Sequence, residues 1–391
     1  MSFLDEAKRL LKQNIREYGM YIALVVIMIT FSIATGGLFM SSRNISNLIN
    51  QTGYIAVLAV GMTLVMVIKH IDLSVGFLAG FLGAIAAISM MQLNIPIFAS
   101  ILLVLVLGTI FGLFTGFLVA KMGIPAFVAS LAAMLVFRGA LLQVTEGTGT
   151  IVISKKAFNA IGNGYIPDIF SVDGLHILTL IIGLIGVFGF IISEVKARND
   201  KMKYNFEVLS KPMFTIKLAA ISAVIGYITW ILSGYNGLSW TVVVVIAVVG
   251  IYNFITTKTV LGRHIYAIGG NAEAARLSGI NVEKVTMIVF ASMGLLSALA
   301  GILFTARLQS ATTTAGTLFE LDAIAAAYVG GVSANGGVGK VTGSIIGAFV
   351  MASLVNGMNL IGVGISYQYI IRGVVLVAAV IFDVKTRNTS K

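Results

Sequence analysis

The chain has no cysteine, three histidines and few charges: acidic and basic residues together make up 10% of its 391 positions. Without cysteine, disulfides and thiolate metal sites are excluded. The histidines, His70, His176 and His264, are widely separated. Neither HExxH nor GxSxG occurs, so the zinc and serine hydrolase patterns have no footing. The run Asn335–Lys340, NGGVGK, comes nearest to a nucleotide-binding signature. That signature, GxxxxGK[ST], needs Gly at 334 and Ser or Thr at 341, where Ala334 and Val341 stand. No ATP site, catalytic centre, metal or other cofactor is expected in this chain.

The low charge also excludes a soluble domain of ordinary make-up, in which about a quarter of residues are charged. What replaces the charges is apolar: 58% hydrophobic residues and a mean hydropathy of +1.01, the composition of an integral membrane protein. Apolar stretches lie near 20–40, 52–69, 73–92, 97–120, 124–143, 173–193, 213–233, 238–257, 284–306, 321–335, 341–360 and 366–384. A crossing of about 30 Å of hydrocarbon takes roughly 20 residues. Twelve crossings and an all-α polytopic architecture are therefore predicted. The tenth stretch, 321–335, is short and glycine-rich, which fits a broken or partly re-entrant helix buried in protein. The first apolar run, from Met20, is long enough to stay as a span rather than be cleaved as a signal peptide. Upstream, residues 3–15 place Phe3, Ala7, Leu10, Leu11 and Ile15 on one helical face, with Lys8, Arg9 and Lys12 available to water. That pattern fits an interfacial helix over 1–19 and equally an ordinary juxtamembrane tail.

The basic residues set an orientation. With the N-terminus inside, 19 of the 26 Lys and Arg residues fall in cytoplasmic segments: 1–19, Lys69, Lys121, 194–212, 258–284, Lys340 and 385–391. Only Arg43, Lys155, Lys156 and Arg307 fall in outside loops, a positive-inside bias that puts both termini in the cytoplasm. The net charge of +11 is thus a topology signal and an attraction to anionic lipid. The basic residues form no single aromatic-interleaved patch, so nucleic acid is not an expected partner.

Between the eighth and ninth spans lies a polar island, Gly262–Val282, which holds Arg263, Glu273 and Arg276. Asn271 is a good N-cap, Ala272–Leu277 are mostly strong helix formers, and Gly279 fits the stop after the last turn. A helix of six or seven residues is not stable alone in water. The island is either a solvated loop or a docking helix gripped by a soluble partner.

The wording of that island carries a resemblance. Tyr266–Ile280, YAIGGNAEAARLSGI, resembles the cytoplasmic coupling loop of monosaccharide ABC-transporter permeases, the ribose/galactose/xylose branch. The resemblance continues through Asp72–Gly76 (DLSVG), Glu320–Ala326 (ELDAIAA), Val329–Gly339 (VGGVSANGGVG) and Tyr367–Gly373 (YQYIIRG), in the family's order and over most of the chain. An extra pair of spans at 173–235 resembles the longer, xylose-type members. The resemblance implies a multi-pass permease of the bacterial inner membrane, of the vitamin-B12-importer-like type, with about ten core spans plus the two-span insertion. Its implied cargo is a monosaccharide, D-xylose or a related pentose. Its implied partners are an ATPase subunit with two fused nucleotide-binding domains, which hydrolyses the ATP, an extracytoplasmic sugar-binding protein, a second permease copy, and the lipid bilayer. In that scheme the ATPase pushes on the helix around Asn271–Leu277. Glu273 and Arg276 make polar contacts, Ala274 lies on the docking helix between them, and Gly270 and Gly279 shape the loop.

The membrane region carries a faint internal repeat. Gly108–Gly112 (GTIFG) resembles Gly343–Gly347 (GSIIG), and Phe137-Arg138-Gly139 resembles Ile371-Arg372-Gly373. Asp72-Leu73 and Asp322-Ala323 each open a Gly/Ala-rich span. On the predicted topology the two repeats, 52–143 and 284–384, run in opposite senses, an inverted repeat of the kind that holds a pathway near its interface. The 173–235 pair has no counterpart in the repeat, its polar connection Glu194–Lys211 is assigned to the cytoplasm, and the coupling loop occupies 258–283. Asp72 and Asp322 would be costly in hydrocarbon. At the starts of their spans they are read as structural, accepting free helix N–H groups. The small-xxx-small steps at Gly76 and Gly80, at Gly108, Gly112 and Gly116, and at Gly343 and Gly347 are read as intramolecular helix packing. Arg138 and Arg372 are read as snorkelling or as paired with a buried acid. Phe and Tyr scatter over every span, so no substrate-binding residue stands out.

Rival classes are less well served. A twelve-span proton symporter of the facilitator class resembles G-x-x-x-D-R-x-G-R-R between spans 2 and 3, where Lys69–Ser74 reads KHIDLS. It would also need a carboxylate near midplane, and both candidate acids lie at span ends. A membrane glycosyltransferase would carry an acidic first external loop, and Ser41–Thr52 holds no acid. The alternative is a permease of the same fold for another small solute: ribose, galactose, a nucleoside or a branched-chain amino acid. Specificity would reside mainly in the binding protein, so this chain does not name the sugar.

Overall fold

A computed structural model describes residues 15–147, 149–169, 171–172 and 174–388. The interfacial helix expected at 3–15 lies, apart from Ile15, outside the described residues. Helix α1, Ile15–Ala34, ends ahead of Gly36 and Gly37, both at positive φ. Helix α2, Ser42–Val67, starts at Ser41, whose side chain accepts the Asn44 N–H. Then come α3, Val75–Met91, α4, Ile97–Ala120, and α5, Ala126–Thr145. Pro96 and Pro125 directly precede the last two, where a missing N–H is harmless because the first turn leaves such groups unpaired. A short α6, Lys156–Asn163, is followed by α7, Ile177–Lys203, and α8, Lys211–Ser233. Four polar side chains, Ser239, Thr259, Asn271 and Asn281, cap the next four helices: α9, Trp240–Lys258, α10, Val260–Gly270, α11, Ala272–Leu277, and α12, Val282–Leu308. The chain closes with α13, Phe319–Val329, α14, Val341–Leu360, and α15, Ile365–Asn388. Strands among the described residues are short: β1, Thr150–Val152, β2, Ser171–Val172, β3, Leu175–His176, and β4, Ser310–Thr312. β1 pairs antiparallel with β4, Ile151 opposite Ala311, and β2 pairs with β3.

Among the described residues nine helices are long and apolar enough to cross a membrane, with Gly19–Ala34 and Val75–Met91 as shorter apolar helices. The protein is an all-α polytopic membrane protein. The tenth expected span reduces to the eleven residues of α13, about 16 Å of helix, continued by the turn 330–340.

Helix α12 runs through the middle, against α4, α3 and α2. Glycine makes this approach close. A Cβ at Gly108 would stand 2.5 Å from the Gly294 carbonyl oxygen, one at Gly112 2.9 Å from the Gly294 Cα, and one at Gly116 2.9 Å from the Phe290 Cβ. Backbones thus touch where lipid supplies no hydrophobic drive between helices. Gly76 and Gly80 bring α3 onto the segment 315–320 in the same way, and Gly343 and Gly347 bring α14 onto α13.

Three expected boundaries need correction. Ser41–Thr52, read as an external loop, is helical from Ser42 because its amides find distant partners. Asn44 Nδ2 donates to Asn356 Oδ1 at 2.9 Å, and Ser239 Oγ donates to Asn50 Oδ1 at 2.5 Å. Glu194–Lys211, read as a polar loop, stays helical to Lys203. There Lys217 Nζ donates to Glu194 Oε2 at 2.7 Å, and the Arg198 guanidinium lies 4.7 Å over the Phe214 ring. Arg307, assigned to an external loop, occupies the last turn of α12. The α7–α8 hairpin packs chiefly on itself, and α8 reaches α2.

Candidate functional site: an exposed capped helix and an interior cavity

Helix α11 is fixed at both ends by its own sequence. Asn271 Oδ1 accepts the N–H groups of Glu273 at 3.0 Å and Ala274 at 3.1 Å. At the other end Gly279 takes φ +84°, donates to the Arg276 carbonyl at 2.9 Å, and lets Ile280 N–H reach the Ala275 carbonyl at 3.0 Å. This closure satisfies the carbonyls that a helix end leaves open. Ala275 is buried, Glu273, Ala274 and Arg276 are exposed, and Leu277 is 82% exposed. A pre-formed helix therefore presents a charged and apolar edge to whatever lies beyond this face.

The sequence reading saw one short helix here; the structure adds α10 before it. Gly270, expected to shape the loop, is the last residue of α10, and a Cβ there would meet open space. The close approach belongs to Gly269, whose Cβ would stand 2.6 Å from Gly337 N and closer still to the Val67 carbonyl oxygen. Three hydrogen bonds join the parts: Tyr266 Oη to Gly339 O at 2.6 Å, Lys69 Nζ to Gly270 O at 3.2 Å, and Gly337 N to Val67 O at 2.8 Å. Burial pushes the Tyr266 hydroxyl above its ordinary pKa, so it stays a donor. The glycine-rich run NGGVGK, which fails as a nucleotide loop, is thus the turn against which α10 rests. Lys121 Nζ and Glu283 Oε2, 2.5 Å apart, link α4 to the start of α12 on the same face.

The two acids differ from each other, and only Asp322 departs from expectation. Asp72 Oδ1 accepts Ser74 N at 2.9 Å and Ser74 Oγ at 2.6 Å, turning the chain into α3. Asp322 caps nothing. It sits in the first turn of α13, its own N–H bonded to Leu318 O at 3.1 Å, and its carboxylate accepts from no helix N–H among the described residues. Its carboxylate instead faces Arg372 Nη1, at 3.2 and 3.4 Å. Arg138, the apparent counterpart of Arg372, lies 5.5 Å over the Phe77 ring. The repeated letters do not carry repeated partners.

Asp322 and Arg372 line a cavity of about 700 Å³, its open mouth included, with Gln51, Tyr54, Arg307 and Asn356. It lies toward the ends of α12, α14 and α15 that are remote from α11. The Tyr54 ring is 4.6 Å from Phe319 and 5.1 Å from Phe304, centroid to centroid. Sequence reasoning singled out neither this cavity nor the contacts of Gly269. A usable signal existed for one wall: Gln51, Tyr54 and Ile55 stand at i, i+3 and i+4, one face of a helix.

The chain belongs to the permease family described as branched-chain amino acid transport system / permease component, which it matches over residues 44–380. Within reach of that family, the xylose transport system permease protein of Haemophilus influenzae is 42% identical over 377 residues, 96% of this chain and 98% of the relative. Its namesake in Escherichia coli is 40% identical, covering 96% and 94%. The ribose import permease protein of Haemophilus influenzae is 37% identical, covering 93% and 91%. No solved structure matches the chain.

Proposed function

We propose that this chain is the membrane subunit of an ATP-binding-cassette importer for a monosaccharide, with D-xylose or a related pentose as cargo. One observation carries the reading: near-full-length identity of 40–42% to proteins named as xylose transport permeases. The chain lies in the bacterial inner membrane with both termini and α11 on the cytoplasmic side, a reading supported by the distribution of Lys and Arg. An ATPase grips α11 through Glu273 and Arg276 and hydrolyses the ATP; its two nucleotide-binding halves are fused. A binding protein delivers sugar to the opposite face, and two copies of this chain form the path. Closure of the ATPase displaces α10–α11, and the bonds at Gly339, Gly270 and Val67 pass the displacement to α2 and to the α13–α14 turn. Ribose is the second reading of the cargo, favoured by the 37% identity to a ribose import permease.

The test is uptake into liposomes. The complete assembly takes up D-xylose when ATP is present on the α11 side, and the chain alone neither hydrolyses ATP nor transports. Uptake by the chain alone, driven by a proton gradient, overturns the assignment.

A further inference from the structure

The cavity remote from α11 has a polar arrangement that helix packing does not require. Charge-assisted N–H···O bonds are commonly about 2.7–2.9 Å, whereas Arg372 Nη1 stands 3.2 and 3.4 Å from the two oxygens of Asp322. One nitrogen thus faces both oxygens loosely, in place of the two parallel bonds of a tight fork. Both carboxylate oxygens keep acceptor capacity. The Arg372 Nε–H is buried without an acceptor among the described residues. Arg307 lines the same space and makes no ion pair among the described residues. Gln51 and Asn356 add amides, and Tyr54 and Phe304 add ring surface.

We propose that this cavity is a transit site for a neutral polyhydroxylated ring, held by hydroxyls bridging Asp322 and Arg372 while its C–H face rests on Tyr54. This rests on the import reading above and adds the place where the cargo binds. The chemistry favours a polyol over an ion. Asp322 and Arg372 already neutralise each other, so a hydroxyl, both donor and acceptor, can insert at the loose contact and leave both charges paired. A zwitterionic amino acid would have to break the pair to use either charge, leaving the other member half-buried and uncompensated. Gln51 and Tyr54 also stand on α2, the helix whose far end accepts Gly337 N–H at Val67. Binding site and coupling turn therefore share one rigid element.

The absence of cysteine makes the test direct. Gln51→Cys, with Ala352→Cys on the facing helix as a second probe, is introduced into the complete transporter in liposomes. A charged, membrane-impermeant methanethiosulfonate then reacts from the side opposite α11. Labelling is expected at both positions, and D-xylose slows it about tenfold when the site is about nine-tenths occupied. L-leucine does not, and Asn236→Cys on the same face is labelled equally with and without sugar. Unchanged labelling of both probes by D-xylose, in an assembly that imports D-xylose, overturns the site and leaves the import reading standing. Lack of labelling at both positions overturns it too, and protection by L-leucine alone overturns the polyol assignment. An assembly that imports no monosaccharide sinks the import reading itself, and uptake reveals this before any labelling.

Discussion

Tyr266 donates its hydroxyl to the Gly339 carbonyl at 2.6 Å, and that bond ties the helix leading into α11 to the turn that follows α13. Gly269, three residues on, fills the rest of the junction with bare backbone against Val67 and Gly337. The junction is therefore tight at one glycine and slack at its neighbour.

Adjacent substitutions separate the two. Gly269→Ala forces a Cβ onto backbone atoms that cannot swing aside, and overpacking of this kind costs about 1–3 kcal/mol. A lower melting temperature in detergent and ATP hydrolysis poorly converted into uptake are expected. Gly270→Ala meets open space and should melt like the unaltered protein. Equal melting of the two variants counts against the junction.

Arg276→Glu probes the exposed face of α11. Reversal of an exposed charge usually changes stability by no more than about 0.5 kcal/mol, whereas opposed charges across an interface cost several. The variant should insert and melt normally, co-purify poorly with the ATPase and transport little. Gly279→Val adds a backbone test, because φ +84° costs a β-branched residue roughly 1–2 kcal/mol. Normal uptake and co-purification by both variants would leave α11 a solvated helix with no coupling role.

A double-mutant cycle at Asp322 and Arg372 separates stability from transport. Loss of one member of a buried pair costs about 3–5 kcal/mol, while replacing both is often neutral. With both side chains 22% exposed, the single-variant loss should fall below that range. Asp322→Leu and Arg372→Leu should each lower the melting temperature, and the double variant should regain much of it without regaining uptake. Additive losses in the double variant refute the pairing argument.

Topology is checked with a thiol at Asn199, an exposed position on α7. In sealed cells an impermeant reagent should leave Asn199→Cys unmodified until the membrane is opened. Labelling of intact cells inverts the orientation.

Several parts were legible from local letters alone. The stops of α11 are both written beside it, Asn271 at the front and Gly279 at the back, because caps act over three or four residues. The apolar runs behind α4 and α12 needed only length and composition. The start of α2 was only half legible: Ser41 is a local cap, but the groups that satisfy Asn44 and Asn50 come from Asn356 and Ser239, far along the chain. Gly269 and Gly270 are the same letter side by side, and only the approach of Val67 and Gly337 tells them apart. Asp72 and Asp322 likewise differ by their surroundings: one closes a turn, the other faces a guanidinium.

The shortness of α13 has an electrical consequence. Its eleven residues cover about 16 Å of roughly 30 Å of hydrocarbon, and a turn with buried Val332, Ser333, Gly336 and Gly339 continues the path. With water filling the cavity, the wall between it and the α11 face would be thinner than the bilayer, and a transmembrane voltage would fall across that shorter distance. A unit charge moved through it couples to the field by about 2.3 kcal/mol per 100 mV, while an uncharged sugar does not couple at all. Such a wall would have to exclude ions, and the close backbone contacts of Gly343 and Gly347 with Gly330 and Ala326 leave no gap there for one to pass.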